Sequence, residues 1–302
     1  MKVILLYMKL TFGRLLALVI VEMRGKVNYI IYNINMNIDP NKTLFLSDDF
    51  VFYTLEGEGR YVGYPSVFMR LSMCNLTCIG FKSEAAPFGC DSYVSWSKKN
   101  KMTFEEIAEL FEKHGYHDRL REGALLKITG GEPFIQQKNL IEFVKFIHER
   151  WGFAKWNAPM TAEELSKPEL FIDFETNGTI MPDEEWYDLQ CSVTYTTSPK
   201  LSSNGDPADK RYKPEVLKYL VDNDACFKFV AKQESDLEEV FEKYVNAPDI
   251  KVNPRNIWIM PMCGSREELL QVGPVVADLC KKYNFKFSNR MHLQLWNLAL
   301  KV

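Results

Sequence analysis

Residues 65-PSVFMRLSMCNLTC-78 read as a β-strand, Pro65 to Met73, that runs directly into a loop carrying two cysteines. Five more short runs rich in β-branched and aromatic residues follow it: 124-ALLKIT-129, 170-LFIDFE-175, 191-CSVTYTT-197, 225-ACFKFVA-231 and 256-NIWIMP-261, each ending at a polar, Gly- or Pro-marked loop. Amphipathic stretches lie between them. In Thr103 to His114, Phe104, Ile107, Ala108 and Phe111 recur at helical spacing behind an N-cap pair, Thr103 and Glu106. Gln136 to Trp151, Lys213 to Asp222, Ser235 to Tyr244 and Ser265 to Tyr283 read as further helices. Strands alternating with helices predict an α/β fold, a partial and open β/α barrel of about six parallel strands. Trp151 to Lys167 and Leu201 to Arg211 are richer in Pro, Asn, Gly and Ser and read as loops within one domain.

Composition narrows the partners. The 302 residues carry 37 basic and 40 acidic side chains, a net charge of −3, so no field of one sign points to nucleic acid or anionic lipid. Of seven cysteines, Cys191, Cys226, Cys263 and Cys280 are scattered singly, unlike a secreted disulfide scaffold, which implies a reducing, cytoplasmic compartment. The opening stretch is apolar, but Lys9 and Arg14 interrupt it before a membrane span accumulates. Residues 1–43 are therefore expected to be an extension of doubtful functional role, with Met36 an alternative start, and 44–302 the catalytic domain.

Ligands of βα folds gather where strands end, and the chemically suggestive motifs sit there. After the first strand come 74-CNLTC-78 and, beyond an eleven-residue insertion, 88-FGCDS-92. Three thiolates can ligate three irons of a cubane cluster and leave the fourth open to a substrate. Zinc competes as the metal, although structural zinc wants a fourth ligand that no second CxxC or nearby His supplies; three unrelated buried cysteines are the bland alternative. The second strand ends at 129-TGGEP-133, where glycines permit close backbone approach and Glu132 adds a carboxylate. The third and fourth end at 175-ETNGT-179 and 198-SPK-200.

The order LEGEG, FMRL, CNLTC, CDS, TGGEP, ETNG, SPK, FKFV and IMP, from about Phe52 to Trp296, resembles the 7-carboxy-7-deazaguanine synthase family of radical S-adenosylmethionine (SAM) enzymes. The resemblance is most specific in 55-LEGEG-59 placed before 67-VFMRLSMCN-75, and the ending 286-KFSNRMHLQLW-296 shares it. It implies a 4Fe-4S cluster on Cys74, Cys78 and Cys90. It further implies SAM against Gly130, Gly131, Glu132, Ser198, Pro199, Lys200 and the Met260, Pro261, Met262, Cys263 segment. The implied substrate is 6-carboxy-5,6,7,8-tetrahydropterin, met by Leu55, Glu56, Gly57, Thr129 and His292, with Arg70 on its carboxylate. Ser92 would hold Mg2+. The implied reaction contracts the ring to 7-carboxy-7-deazaguanine with loss of ammonia, in queuosine and 7-deazaguanine biosynthesis. A flavodoxin or ferredoxin electron donor and a homodimer are the implied partners, without direct nucleic acid or membrane.

Three departures stand out. Glu56 replaces a common Gln, Ser92 a usual Thr, and 79-IGFKSEAAPFG-89 replaces a two-residue spacing. Because loop-closure entropy grows only logarithmically with length, the insertion is expected to bulge outward and leave the thiols convergent. Arg70 has a rival role as an internal ion-pair partner. The competing functions are another radical SAM enzyme such as a glycyl-radical activase, which has no use for LEGEG, and a non-catalytic metal-binding protein.

Overall fold

The computed structural model describes residues 2–10, 14–23, 26–35, 42–82, 87–154, 161–189, 191–297 and 299. Two units emerge, Met1–Lys42 and Thr43–Val302. The first contains an antiparallel meander of β1 (Lys2–Leu10), β2 (Arg14–Met23) and β3 (Lys26–Asn35), in which Leu18 stands opposite Leu6 on one side and Ile31 on the other. Met36 lies outside the described residues. Among the described residues no helix is long and apolar enough to cross a membrane.

The second unit is built on a nine-stranded sheet of β4 (Thr43–Leu55), β5 (Pro65–Leu71), β6 (Asn100–Thr103), β7 (Leu125–Gly130), β8 (Phe171–Thr176), β9 (Ser192–Thr197), β10 (Cys226–Ala231), β11 (Ile257–Pro261) and β12 (Lys286–Phe287). Its order is β12-β11-β10-β9-β8-β7-β5-β4-β6, parallel from β5 to β12, with β4 antiparallel to both β5 and β6. The sheet is open, and the six strands expected from the sequence are its centre. β4 escapes a pattern search because its pairing with β5 shifts register between Leu46 and Val51, around Asp48 and Asp49.

Side chains alternate between the two faces of each strand, and here the faces differ chemically. One face carries Ile128, Phe174, Tyr195, Phe229 and Ile259, which pack beneath the helices in a single apolar core. Phe174 is fully buried with its ring 4.6 Å from Trp186 and 5.2 Å from Phe134. The other face lines the barrel interior with Arg70, Lys127, Thr129, Asp173, Glu175, Thr194, Thr196 and Lys228, and cross-strand register sets Arg70 beside Thr129, Lys127 beside Asp173 and Glu175 beside Thr196. Helices Phe104–Lys113, Gln137–Arg150, Pro214–Asp222, Glu234–Val240 and Arg266–Tyr283 cover the apolar face. The first begins with the expected capping box, Thr103 with Glu106. Among the described residues the two stretches read as loops contain short helical turns, Ala162–Leu165 in the first and Ser202–Asn204 and Ala208–Arg211 in the second.

The chain after β4 crosses the interior and meets the chain after β12. Gly59 N–H donates to Ser288 Oγ at 2.8 Å and Met291 N–H to the Gly57 carbonyl at 3.0 Å. The LEGEG and SNRMH motifs, some 230 residues apart, thereby bridge the opening of the sheet.

Candidate active site

The interior is held by buried charge. Lys127 Nζ lies 2.6 Å from Asp173 Oδ2 and 3.1 Å from Glu56 Oε2. Lys228 Nζ lies 2.6 Å from both Glu58 and Glu175, and Arg290 Nε lies 3.1 Å from Glu58. Burial opposes the charge on Lys127, yet Asp173 and Glu56 hold its pKa well above the usual lysine range. Glu175 is likewise pulled down to about 2 by Lys228 and Lys127 against its own burial. Glu56 moves the other way: burial raises its pKa beyond what Lys127 can offset. Its Oε2 is near Lys127 but misaligned, and has no hydrogen-bond partner. The Lys127 ion pairs thus anchor LEGEG to the barrel floor.

The cysteine loop is fixed by backbone contacts. Gly130 has φ +123°, and a Cβ there would stand 2.1 Å from the Leu71 carbonyl; one on Gly131 would stand 1.9 Å from that of Met73. Only glycine allows β7 to end this close to β5, where Gly131 and Glu132 N–H donate to the Leu71 and Met73 carbonyls at 3.0 and 2.8 Å. At the far side of the loop, Asp206 accepts from Thr77 and Cys78 N–H at 3.1 and 2.8 Å.

The insertion from Ile79 to Gly89 is pinched at its base. Gly89, with φ +101°, abuts the Cys78 carbonyl so closely that a Cβ would stand 2.5 Å from it, and one on Gly80 would stand 2.1 Å from the Ser203 carbonyl. Cys90 is therefore returned beside Cys78; residues 83–86 lie outside the described residues. The Cys78 thiol is within electrostatic reach of both Cys74 and Cys90, and the Lys200 ammonium acts on all three. Each sulfur also accepts one side-chain N–H: Cys74 from Asn177 at 3.9 Å, Cys78 from Asn204 at 3.6 Å, and Cys90 from Trp96 at 3.4 Å. Burial pushes the Cys74 thiol up to about 11 and raises the other two. Among the described residues no three His, Cys, Asp or Glu side chains close on one ion position. Three sulfurs that each meet an N–H donor, with the Lys200 ammonium in reach, are a donor set whose chemistry suits iron-sulfur thiolates.

The other expected residues fall around these thiols and the interior. Glu132 is fully buried and accepts from Phe134 N–H at 3.1 Å, Thr176 Oγ1 at 2.9 Å and Asn177 N–H at 2.7 Å, so its carboxylate ties the end of β7 to that of β8. Burial lifts its pKa to about 7 despite those hydrogen bonds. Ser198 and Pro199 are buried, and Lys200 Nζ donates to the Ser198 carbonyl and hydroxyl at 2.8 and 2.9 Å. Met260 and Pro261 end β11; Met262 N–H continues the ladder to Ala231, and the Cys263 carbonyl accepts from Arg290.

On the substrate side, Leu55 ends β4 and Thr129 Oγ1 meets Glu175 at 3.3 Å. His292 packs on Gly57, where a Cβ would stand 2.9 Å from its Nδ1, and burial lowers its pKa. Arg70 makes no ion pair among the described residues. Its guanidinium sits 5.0 Å from the Phe52 ring, which stacks on Phe68, so its charge is open to a ligand. Ser92 caps a turn and donates to Asp91 at 3.1 Å; Asp91 in turn meets Arg290 at 3.2 Å.

Known proteins resemble this chain in the same terms. A family described as a 4Fe-4S single cluster domain matches residues 55–171. The 7-carboxy-7-deazaguanine synthase of Hyperthermus butylicus is 31% identical over 249 residues, 80% of this chain and 89% of the relative. That of Pyrobaculum aerophilum is 30% identical, covering 82% and 94%. The chain belongs to the 7-carboxy-7-deazaguanine synthase family. The crystal structure of QueE from Escherichia coli shares the fold, with a TM-score of 0.54 at 20% identity over 86% of this chain and 99% of that one.

Sequence reading missed the charges at Lys127, Asp173, Glu175 and Lys228, although each is a charge at an inward position of an apolar run. Trp96, Asn204 and Asp206 gave no such signal.

Lys127→Ala leaves Asp173 and Glu56 buried without their cation, so it is expected to lower unfolding free energy by about 3–5 kcal/mol, read from denaturant titration. A carboxyl whose native pKa exceeds its unfolded value binds more protons when folded. The Glu132 contribution therefore declines as pH rises from about 4.5 to about 7. Glu132→Gln, which does not titrate, is expected to flatten that decline when both proteins are unfolded across the window.

Proposed function

We propose that this chain is a radical SAM enzyme that converts 6-carboxy-5,6,7,8-tetrahydropterin to 7-carboxy-7-deazaguanine with loss of ammonia, in 7-deazaguanine and queuosine biosynthesis. The observation that carries the reading is the presence, toward one end of the barrel, of three thiols with separate N–H donors and of an arginine with no acidic partner among the described residues. When bound, the cluster and SAM supply a carbon radical that removes a hydrogen atom from the substrate.

The chain's own residues bind and orient. Cys74, Cys78 and Cys90 would hold the cluster as thiolate ligands. Gly130, Gly131 and Glu132, the Ser198–Lys200 turn and Met260–Cys263 would line the SAM pocket; the glycines let the end of β7 pack against the cysteine loop, and Lys200 brings a positive charge within reach of the thiols. Arg70 presents a planar fork to the substrate carboxylate, while Leu55, Glu56, Gly57, Thr129 and His292 fix the ring system. Ser92 is the proposed Mg2+ ligand, a hard oxygen beside Asp91. A flavodoxin or ferredoxin would deliver the electron near exposed Ile79, Phe88 and Val94 on the cysteine loop. A homodimer in a reducing, cytoplasmic setting completes the reading, with residues 1–43 as an extension outside the chemistry.

Anaerobic incubation of reconstituted protein with the pterin, SAM and dithionite is expected to yield the deazaguanine; SAM cleavage without it points to another radical enzyme. Arg70→Ala should raise KM at least tenfold while leaving iron content at the parent level, because a charge-assisted pair contributes about 1.5–3 kcal/mol; lost iron means a structural arginine. A chain starting at Met36 should keep parental kcat, and a large drop there overturns the division at residue 43.

A further inference from the structure

Three side chains outside the expected site address the three sulfurs one to one. Resting on the assignment of Cys74, Cys78 and Cys90 as cluster ligands, we infer that Trp96, Asn204 and Asn177 are positioning residues that each donate one N–H to one cluster sulfur and together raise the cluster's reduction potential. The donors come from separate places: the turn after Cys90, the loop after β9 and the loop after β8. Their contacts are 3.4, 3.6 and 3.9 Å, and none serves two sulfurs.

The polarity of these contacts separates the three cysteines from Cys280. That thiol donates to the Lys286 carbonyl at 3.9 Å, as ordinary thiols do. Cys74, Cys78 and Cys90 accept instead. A neutral thiol is a poor acceptor, whereas an anionic sulfur accepts strongly, so this environment suits thiolate.

Each donor is itself held. Asn204 Nδ2 also meets Asp206 Oδ2 at 2.8 Å, and Asn204 Oδ1 accepts from Asp206 N–H at 2.9 Å. Because the same carboxylate binds Thr77 and Cys78 N–H, Asp206 couples the donor rigidly to its sulfur. Asn177 Oδ1 accepts from Thr179 N–H at 3.0 Å, and its Nδ2 is shared with Asn75 at 2.9 Å. The Trp96 ring packs edge-on against Tyr93 at 5.0 Å, while its carbonyl accepts from Met73 N–H at 3.1 Å.

Reduction adds one negative charge that is partly borne by the sulfurs. An N–H aimed at sulfur therefore stabilises the reduced cluster more than the oxidised one, which raises the potential. Removing the donor lowers it, with no change required in the ligands.

The test is an EPR-monitored redox titration of reconstituted full-length protein, with iron and sulfide counted per chain, for the parent, Trp96→Phe and Asn204→Ala. Trp96→Phe keeps an aromatic ring and removes only the N–H. The expected result is parental iron and sulfide with a lower midpoint in at least one variant, by about a tenfold change in the reduced-to-oxidised ratio at fixed potential, about 59 mV for one electron. Midpoints unchanged in both, or clusters lost from both, overturn the inference, since the side chains then do not tune or serve only as scaffold. A parent that takes up no iron overturns the cysteine assignment itself and the inference with it.

Discussion

A lysine ammonium buried in the middle of a sheet must find negative charge or lose its proton, and the barrel interior is organised around that demand. Lys127 on β7 takes Asp173 from the neighbouring strand and Glu56 from the chain that crosses the interior. Lys228 does the same with Glu58 and Glu175, and Arg290 brings in the C-terminal motif through Glu58. Desolvating so many charges is unfavourable unless their geometry is nearly complete. The network consequently specifies one position for the middle of LEGEG, Glu56 to Glu58, where β4 has ended. Arg70, on the same face and without an acidic partner among the described residues, is the conspicuous incomplete member.

A second constraint acts through backbone instead of charge. Gly130 and Gly131 let β7 end against Leu71 and Met73, while Asp206 grips the amides of Thr77 and Cys78. The cysteine loop is clamped from two sides, by the turn after β7 and by the loop after β9. Glu132, which extends the first clamp to Thr176 and Asn177, connects the thiol end of the barrel to β8. The same strand carries Asp173 and Glu175 on its inward face, so one strand serves both constraints.

Much of this was legible in the sequence, and the reasons are particular. The six central strands declared themselves because one face of each is apolar and a Gly, Pro or polar loop follows it. β4 did not, since Asp48, Asp49 and the register shift near them erase its period. The thiols could be named from CNLTC and CDS, but their approach depends on the positive φ of Gly89, which a loop of eleven residues does not advertise. Asn204 lies 126 residues from the sulfur it meets, and an asparagine in a Ser- and Gly-rich stretch looks like any turn residue. The inward charges of β7, β8 and β10 were visible at alternate positions, yet only cross-strand register reveals that they neutralise one another.

The pinch at Gly89 also bears on how such a chain is found. With Cys78 and Gly89 in contact at its root, the insertion leaves and rejoins the cysteine loop at one place, so the number of residues in it does not set the separation of Cys78 from Cys90. A search keyed to a two-residue spacing between the second and third cysteines passes over this chain, although Gly89 brings the two cysteines together all the same.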